Sequence, residues 1–174
     1  MAKKIIIGVT GKSGVGKTEF CNALVQHLKH AKIINVDQVF LDVVLHPNYS
    51  RYVVQSKNKE LDAKSRLISI QKIFNEVEHR VNQEIRIRKG ALIIDHMSLE
   101  SWLFAKKCDI KIMIEADDNL RRKMLYKRDL FEETDFCRKM LNNSKPCNFD
   151  YRFFNDYSQE ALNSMVNQVL SKIK

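Results

Sequence analysis

The chain has 174 residues, 44% of them hydrophobic, and its 30 Lys and Arg outweigh 21 Asp and Glu to give a formal charge of +9. That apolar content suffices for one compact domain with a buried core, whereas no apolar run approaches the ~20 residues a membrane span needs. Five Gly, two Pro, no internal repeat and no low-complexity tract exclude an array or a linker-rich architecture.

Cys21, Cys108, Cys137 and Cys147 are scattered and the histidines lack metal-ligand spacing. Reduced thiols in a cytoplasmic protein are therefore expected, without a zinc or disulfide framework. Met1-Ala2-Lys3-Lys4 leads straight into an apolar stretch, so no signal peptide is expected. The positive charge suits either nucleic acid or polyanionic small molecules. Because lysines are spread along the whole chain, small polyanions are the preferred partners and nucleic acid is not expected.

The elements alternate. A strand over Lys3–Val9 is followed by a helix over Lys17–Lys29, then a strand over Lys32–Val36 that ends at Asp37. A short helix, Gln38–Leu45, should stop before Pro47, because the residue preceding proline avoids helical angles. Asn48–Lys59 is polar and reads as irregular. Leu67, Ile70, Ile73, Phe74, Val77, Val81 and Ile85 recur at spacings of three and four, which predicts one long helix or two abutting ones within 61–87, closed by Gly90.

Ala91–Asp95 is an apolar strand with a terminal carboxylate, as in a buried parallel sheet. Ser98 is placed to cap a helix through Lys106, Ile110–Ile114 is the next strand, and Asp117 caps a basic helix to about Arg128. A charged segment over 129–148 carries a further helical stretch around 131–141. Arg152–Phe154 reads as a short strand and Gln159–Ile173 as a closing helix. This order predicts an α/β fold of three layers, a five-stranded parallel sheet flanked by helices within one domain spanning 1–174. Ligands are expected at the carboxyl ends of the strands, where Lys17, Asp37 and Asp95 lie.

One motif carries most of the chemistry. Gly11-Lys12-Ser13-Gly14-Val15-Gly16-Lys17-Thr18 fits G-x-x-x-x-G-K-[ST] between a strand and a helix. Its glycines let backbone N–H groups close around a phosphate chain, Lys17 reaches the β- and γ-phosphates, and the Thr18 hydroxyl suits Mg²⁺. An N-K-x-D base motif is missing, which argues against a GTPase, and the length argues against a motor. A small-molecule kinase needs a carboxylate at the acceptor hydroxyl and arginines near the phosphates, roles that suit Asp37 and the Arg-rich span 121–138.

Plainer roles compete at each position. Asp37 could cap the following helix, and Asp95 could cap or solvate a loop. Arg138 could be one more solvated charge beside Lys139, and Asn155 could hold a turn. Trp102 and Phe104 read as core or pocket wall, and His79 as structural.

The order of residues resembles the dephospho-coenzyme A kinases. The likeness runs from Ile7-Gly8-Val9-Thr10-Gly11 through Ile34-Asn35-Val36-Asp37-Gln38-Val39, Leu61-Asp62 and Glu78-His79. It resumes at Asp95 with Ser98-Leu99-Glu100, at Cys108-Asp109, and at Arg128, Arg138 and Phe149-Asp150-Tyr151 to Asn155-Asp156-Tyr157-Ser158. It implies ATP-dependent phosphorylation of the ribose 3′-hydroxyl of dephospho-CoA, with ATP as donor and Mg²⁺ as cofactor. By that resemblance Lys17, Asp37 and Arg138 are catalytic. Gly11, Ser13, Gly14, Val15, Gly16, Lys17, Thr18, Arg128 and Asn155 bind ATP. Asp37, Asp95 and His79 face the acceptor, and Thr18 holds Mg²⁺ with water-mediated help from Asp95. A helical lid near 128–148 and an acceptor-side helical region near 38–89 complete the expectation.

Asn35, Leu41 and Arg80 depart from the family pattern, which bears on the acceptor more than on phosphoryl transfer. A nucleoside or nucleotide kinase is the alternative within enzymes, and an ATP-binding regulatory protein with decayed chemistry is the alternative outside them.

Overall fold

The computed structural model describes residues 4–126 and 148–173. Its strands are β1 (Ile5–Thr10), β2 (Lys32–Asn35), β3 (Ala91–Asp95), β4 (Ile110–Glu115) and β5 (Tyr151–Phe154). Its helices are α1 (Lys17–His27), α2 (Val36–Leu45), α3 (Pro47–Lys57), α4 (Ala63–Ile87), α5 (Asp118–Tyr126) and α6 (Gln159–Ile173). The strands form the expected five-stranded parallel sheet, in the order β2-β3-β1-β4-β5. The chain divides into two compact units, Met1–Ile33 with Lys89–Lys174, and Ile34–Arg88.

In the first unit, β1 sits between β3 and β4, with Val9 opposite both Asp95 and Ile112. All five residues of β3 are buried, as its unbroken apolar run requires. Ile7, Val9, Ile93, Ile112 and Ile114 of the sheet pack with Phe20 and Leu24 of α1 and with Val166 and Val169 of α6. Two aspartates start strands by the same device. Asp109 Oδ2 accepts from the Ile6 N–H at 2.7 Å, and Asp150 Oδ2 accepts from the Lys111 N–H at 2.9 Å. Each carboxylate satisfies an edge donor that the ladder leaves over, and so fixes register at the end opposite the ligand site.

The second unit is helical. Asn35 caps α2, its Oδ1 accepting from the Gln38 N–H at 3.1 Å, and Asp62 caps α4 through the Ser65 N–H at 2.9 Å. α4 is one helix of 25 residues, burying Ser69, Ile73, Val77, Val81 and Ile85 at four-residue spacing. Leu67, expected on that face, is 64% exposed.

Four expectations need correction. Asp37 lies in the first turn of α2 rather than at a strand end, because Asn35 already supplies the cap. Asn48–Lys59 is not irregular: Pro47 opens α3, where its missing N–H costs nothing, and His46 Nδ1 accepts from the Asn48 N–H. Ser98 caps no helix; two short 3₁₀ turns, Leu99–Ser101 and Leu103–Lys107, follow it, and the Leu99 N–H donates instead to Thr10 Oγ1 at 3.2 Å. The α4 cap is Arg88 in extended conformation, and Gly90 turns the chain into β3 two residues later.

Candidate active site

The loop between β1 and α1 is wound by its glycines. Gly11 and Gly16 have φ of 143° and 92°, and a Cβ on either would collide, with the Ile114 carbonyl or with Asn155 Nδ2 respectively. Only glycine fits both the backbone angle and the space. Lys17 Nζ donates across the loop to the carbonyls of Gly11 at 2.8 Å and Lys12 at 3.0 Å. The ammonium is thus folded over the concavity where a phosphate chain would lie, and phosphate oxygens offer it stronger, charged acceptors than these carbonyls.

Three consecutive carbonyls of the loop accept from side chains elsewhere in the first unit. Arg121 Nη1 reaches Ser13 O at 3.1 Å, the Tyr157 hydroxyl reaches Gly14 O at 2.9 Å, and Asn155 Nδ2 reaches Val15 O at 2.9 Å. Asn155 Oδ1 also accepts from the Tyr157 N–H at 2.9 Å, so its amide is used at both ends. Asp118 ties the arrangement to its own helix. Its Oδ1 lies 3.1 Å from Arg121 Nε and 3.5 Å from Lys12 Nζ, and the Arg121 hydrogen bond, then the Lys12 charge, hold its carboxyl below the usual range.

Asp95 is buried at the end of β3, while Thr18 is exposed at the start of α1. Burial first, and then the Asp95 charge, push the Cys21 thiol well up, with Lys17 acting in the opposite sense. Asp95 and Lys17 therefore act on the same point of α1 from opposite charges. His96 is buried and stands edge-on to Trp102, whose ring stacks on Phe104 at 5.4 Å.

Two hollows flank the loop. One of about 200 Å³ lies against Gly14, Gly16, Met124, Asn155, Tyr157 and Leu162. The other, about 560 Å³, is bounded by Gly11, Lys12, Met97, Glu100, Met113 and Asp117. Asp37 and His79 both belong to the second unit and are exposed. Arg128 and Arg138, and the lid expected near 128–148 apart from its last residue, lie outside the described residues. Among the described residues no cluster of three His, Cys, Asp or Glu side chains forms a metal site, and no helix is long and apolar enough to cross a membrane.

A family model described as an AAA domain matches residues 7–146. The chain belongs to that family, among its P-loop small-molecule kinases. The kinase is 27% identical, over an alignment 193 positions long, to a uridine kinase of Listeria innocua, covering 99% of this chain and 78% of the relative. In fold it is similar to TT1252 from Thermus thermophilus, with a TM-score of 0.71 at 17% identity over 98% of both chains. It also resembles a shikimate kinase from Bacteroides thetaiotaomicron, with a TM-score of 0.64 at 13% identity over 97% of this chain and 98% of that one.

Sequence reasoning located the phosphate loop and included Arg121 as the first residue of the Arg-rich span 121–138, but singled out neither it nor His96 and Asp118. What sets Arg121 apart within that span is its burial, 7% exposed, which composition does not carry. Tyr157 was noted only within a family-like segment; its φ of 66°, rare outside glycine, marks it in the structure.

Proposed function

We propose that the kinase transfers the γ-phosphoryl group of ATP to a hydroxyl of a nucleoside-class acceptor. The observation that carries the donor half is the loop itself, with glycines no other residue can replace and Lys17 folded over its concavity. The acceptor half is supported by the curated relatives named uridine kinase, one of which aligns with 99% of this chain. Dephospho-CoA, which the motif order suggests, is the second candidate.

In this reading the acceptor oxygen attacks the γ-phosphorus in line, the bond from that phosphorus to the β,γ-bridging oxygen breaks, and ADP leaves. The acceptor proton passes to Asp37 or through it to water. Lys17 and the loop amides neutralise charge on the phosphates, and Arg138 adds to this at the transferring group, with Arg128 clamping ATP. Positioning and charge neutralisation supply most of the rate, since phosphoryl transfer asks for little covalent help. The Thr18 hydroxyl, with Asp95 through water, would hold Mg²⁺. That small ligand set suits an ion that keeps most of its water, and when bound it screens phosphate charge. The smaller hollow, walled by Met124 and Leu162, is the candidate seat for the adenine, and Asn155 meets it at the edge.

The test is a panel of acceptors incubated with ATP and Mg²⁺ and read by mass gain of one phosphate. Uridine should gain it. Phosphorylation of dephospho-CoA alone would reinstate the coenzyme A assignment. ATP binding with no acceptor turned over across the panel would favour a regulatory protein.

A further inference from the structure

We propose that Arg121, Tyr157 and Asn155 are positioning residues that set the peptide planes of the phosphate loop. The inference deepens the triphosphate half of the proposed function and rests on it. A trans peptide is planar, so the C=O of one residue and the N–H of the next point in opposite directions. Fixing the carbonyls of Ser13, Gly14 and Val15 from outside the loop therefore turns the N–H groups of Gly14, Val15 and Gly16 toward its other side. The contacts come from α5 and from the loop after β5, elements remote in sequence, so the loop's own residues do not set this orientation alone.

Two features separate the device from ordinary packing. Arg121 and Asn155 are 7% and 6% exposed, and a buried guanidinium is costly to keep unless its hydrogen bonds are used. Tyr157 holds a left-handed φ of 66°, a conformation unfavourable for tyrosine, and this is the geometry in which its N–H meets Asn155 while its hydroxyl meets Gly14. Val15 N–H, meanwhile, keeps only a long 3.4 Å bond to the Lys12 carbonyl, one that an anion can displace.

The experiment uses the full chain in three forms: wild type, Tyr157→Phe and Arg121→Lys. NMR titrations with inorganic tripolyphosphate and, separately, with adenosine divide the phosphate from the base. Tyr157→Phe should weaken tripolyphosphate about 3- to 10-fold, the range for one neutral hydrogen bond, and weaken adenosine by less, since Tyr157 also lines the adenine hollow but the substitution keeps its ring. Arg121→Lys keeps the charge and loses the fork between Ser13 and Asp118, and should weaken tripolyphosphate by at least as much. In steady state the KM for ATP should rise in both while the KM for the acceptor stays constant. Unchanged tripolyphosphate affinity in both variants, or a loss confined to adenosine, would overturn the proposal. A wild type that binds no tripolyphosphate would instead refute the triphosphate assignment itself.

Discussion

Replacing Gly16 by alanine tests how tightly the loop and its brace depend on one another. Alanine at φ 92° carries the left-handed penalty, about 1–2 kcal/mol. Its Cβ also occupies the place of Asn155 Nδ2, so Asn155 must withdraw from the Val15 carbonyl at 2.9 Å. Leaving that buried pair unmade adds about 1–3 kcal/mol. The sum, about 2–5 kcal/mol, is a large part of the 5–15 kcal/mol that typically holds a domain folded, and predicts a Tm lower by roughly 4–20 °C for a chain of this size. Thermal unfolding gives the total, and the same substitution in an Asn155→Ala background divides it. There the steric part is gone, and Gly16→Ala should cost only the ~1–2 kcal/mol of backbone strain. Equal costs in the two backgrounds would refute the packing argument, and a Tm within 2 °C of wild type in the single variant would refute both parts.

Lys17→Ala should abolish ATP-dependent turnover, with ATP binding lost or greatly weakened in calorimetry; retained affinity and rate would remove the ammonium from the site. Asp37→Asn should lower kcat by at least ~10²-fold with ATP affinity nearly constant, the range for a proton acceptor, as measured by pre-steady-state and equilibrium titration. The Cys21 thiol, pushed up by burial and Asp95, should resist alkylation at neutral pH until the protein unfolds, as read by mass spectrometry against the less buried Cys108. The Asp150–Lys172 pair, 2.8 Å apart, predicts a pH dependence at both extremes. The hydrogen bond from Lys172 lowers the Asp150 pKa, so that carboxylate's contribution is full above its unfolded pKa and is lost as pH falls through the folded one, below the usual carboxylate range. The hydrogen bond to Asp150 raises the Lys172 pKa, so the ammonium's contribution is full below its unfolded pKa and is lost as pH rises through the folded one, above the usual lysine range. Asp150→Asn should flatten the acid limb of a Tm-versus-pH curve relative to wild type.

The sheet was legible because its signals are local. Ala91–Ile94 is apolar at every position and Asp95 ends the run, and Gln159–Ile173 keeps a helical period, so both elements fall where they were expected. The phosphate loop was legible for the same reason, being a contiguous motif between a strand and a helix. What surrounds the loop was not. Arg121 reaches Ser13 across 108 residues and Tyr157 reaches Gly14 across 143, and no periodicity or spacing encodes contacts of that range. α3 was missed for a different reason. Proline reads as a terminator after a helix, yet at Pro47 it serves as the first residue of the next one, and His46, an unusual cap, supplies the acceptor at its start.

The same distinction bears on Asn35, one of the departures from the dephospho-CoA kinase resemblance, which implies an aspartate at that position. Its side chain accepts from the Gln38 N–H at 3.1 Å, which makes it the N-cap of α2, a position where Asn and Asp are nearly equivalent. The change therefore keeps the helix start and removes one negative charge, leaving Asp37 in the first turn, where a carboxylate is favoured by the helix dipole. If Asn35 is only a cap, Asn35→Ala should cost about 1 kcal/mol of stability and leave kcat within 2-fold, whereas Asn35→Asp should be neutral in Tm. If the missing carboxylate instead set the acceptor chemistry, Asn35→Asp would shift the acceptor preference in the mass-gain panel toward dephospho-CoA. Measured side by side with Asp37→Asn, these two variants separate the residue that starts the helix from the residue proposed to take the proton.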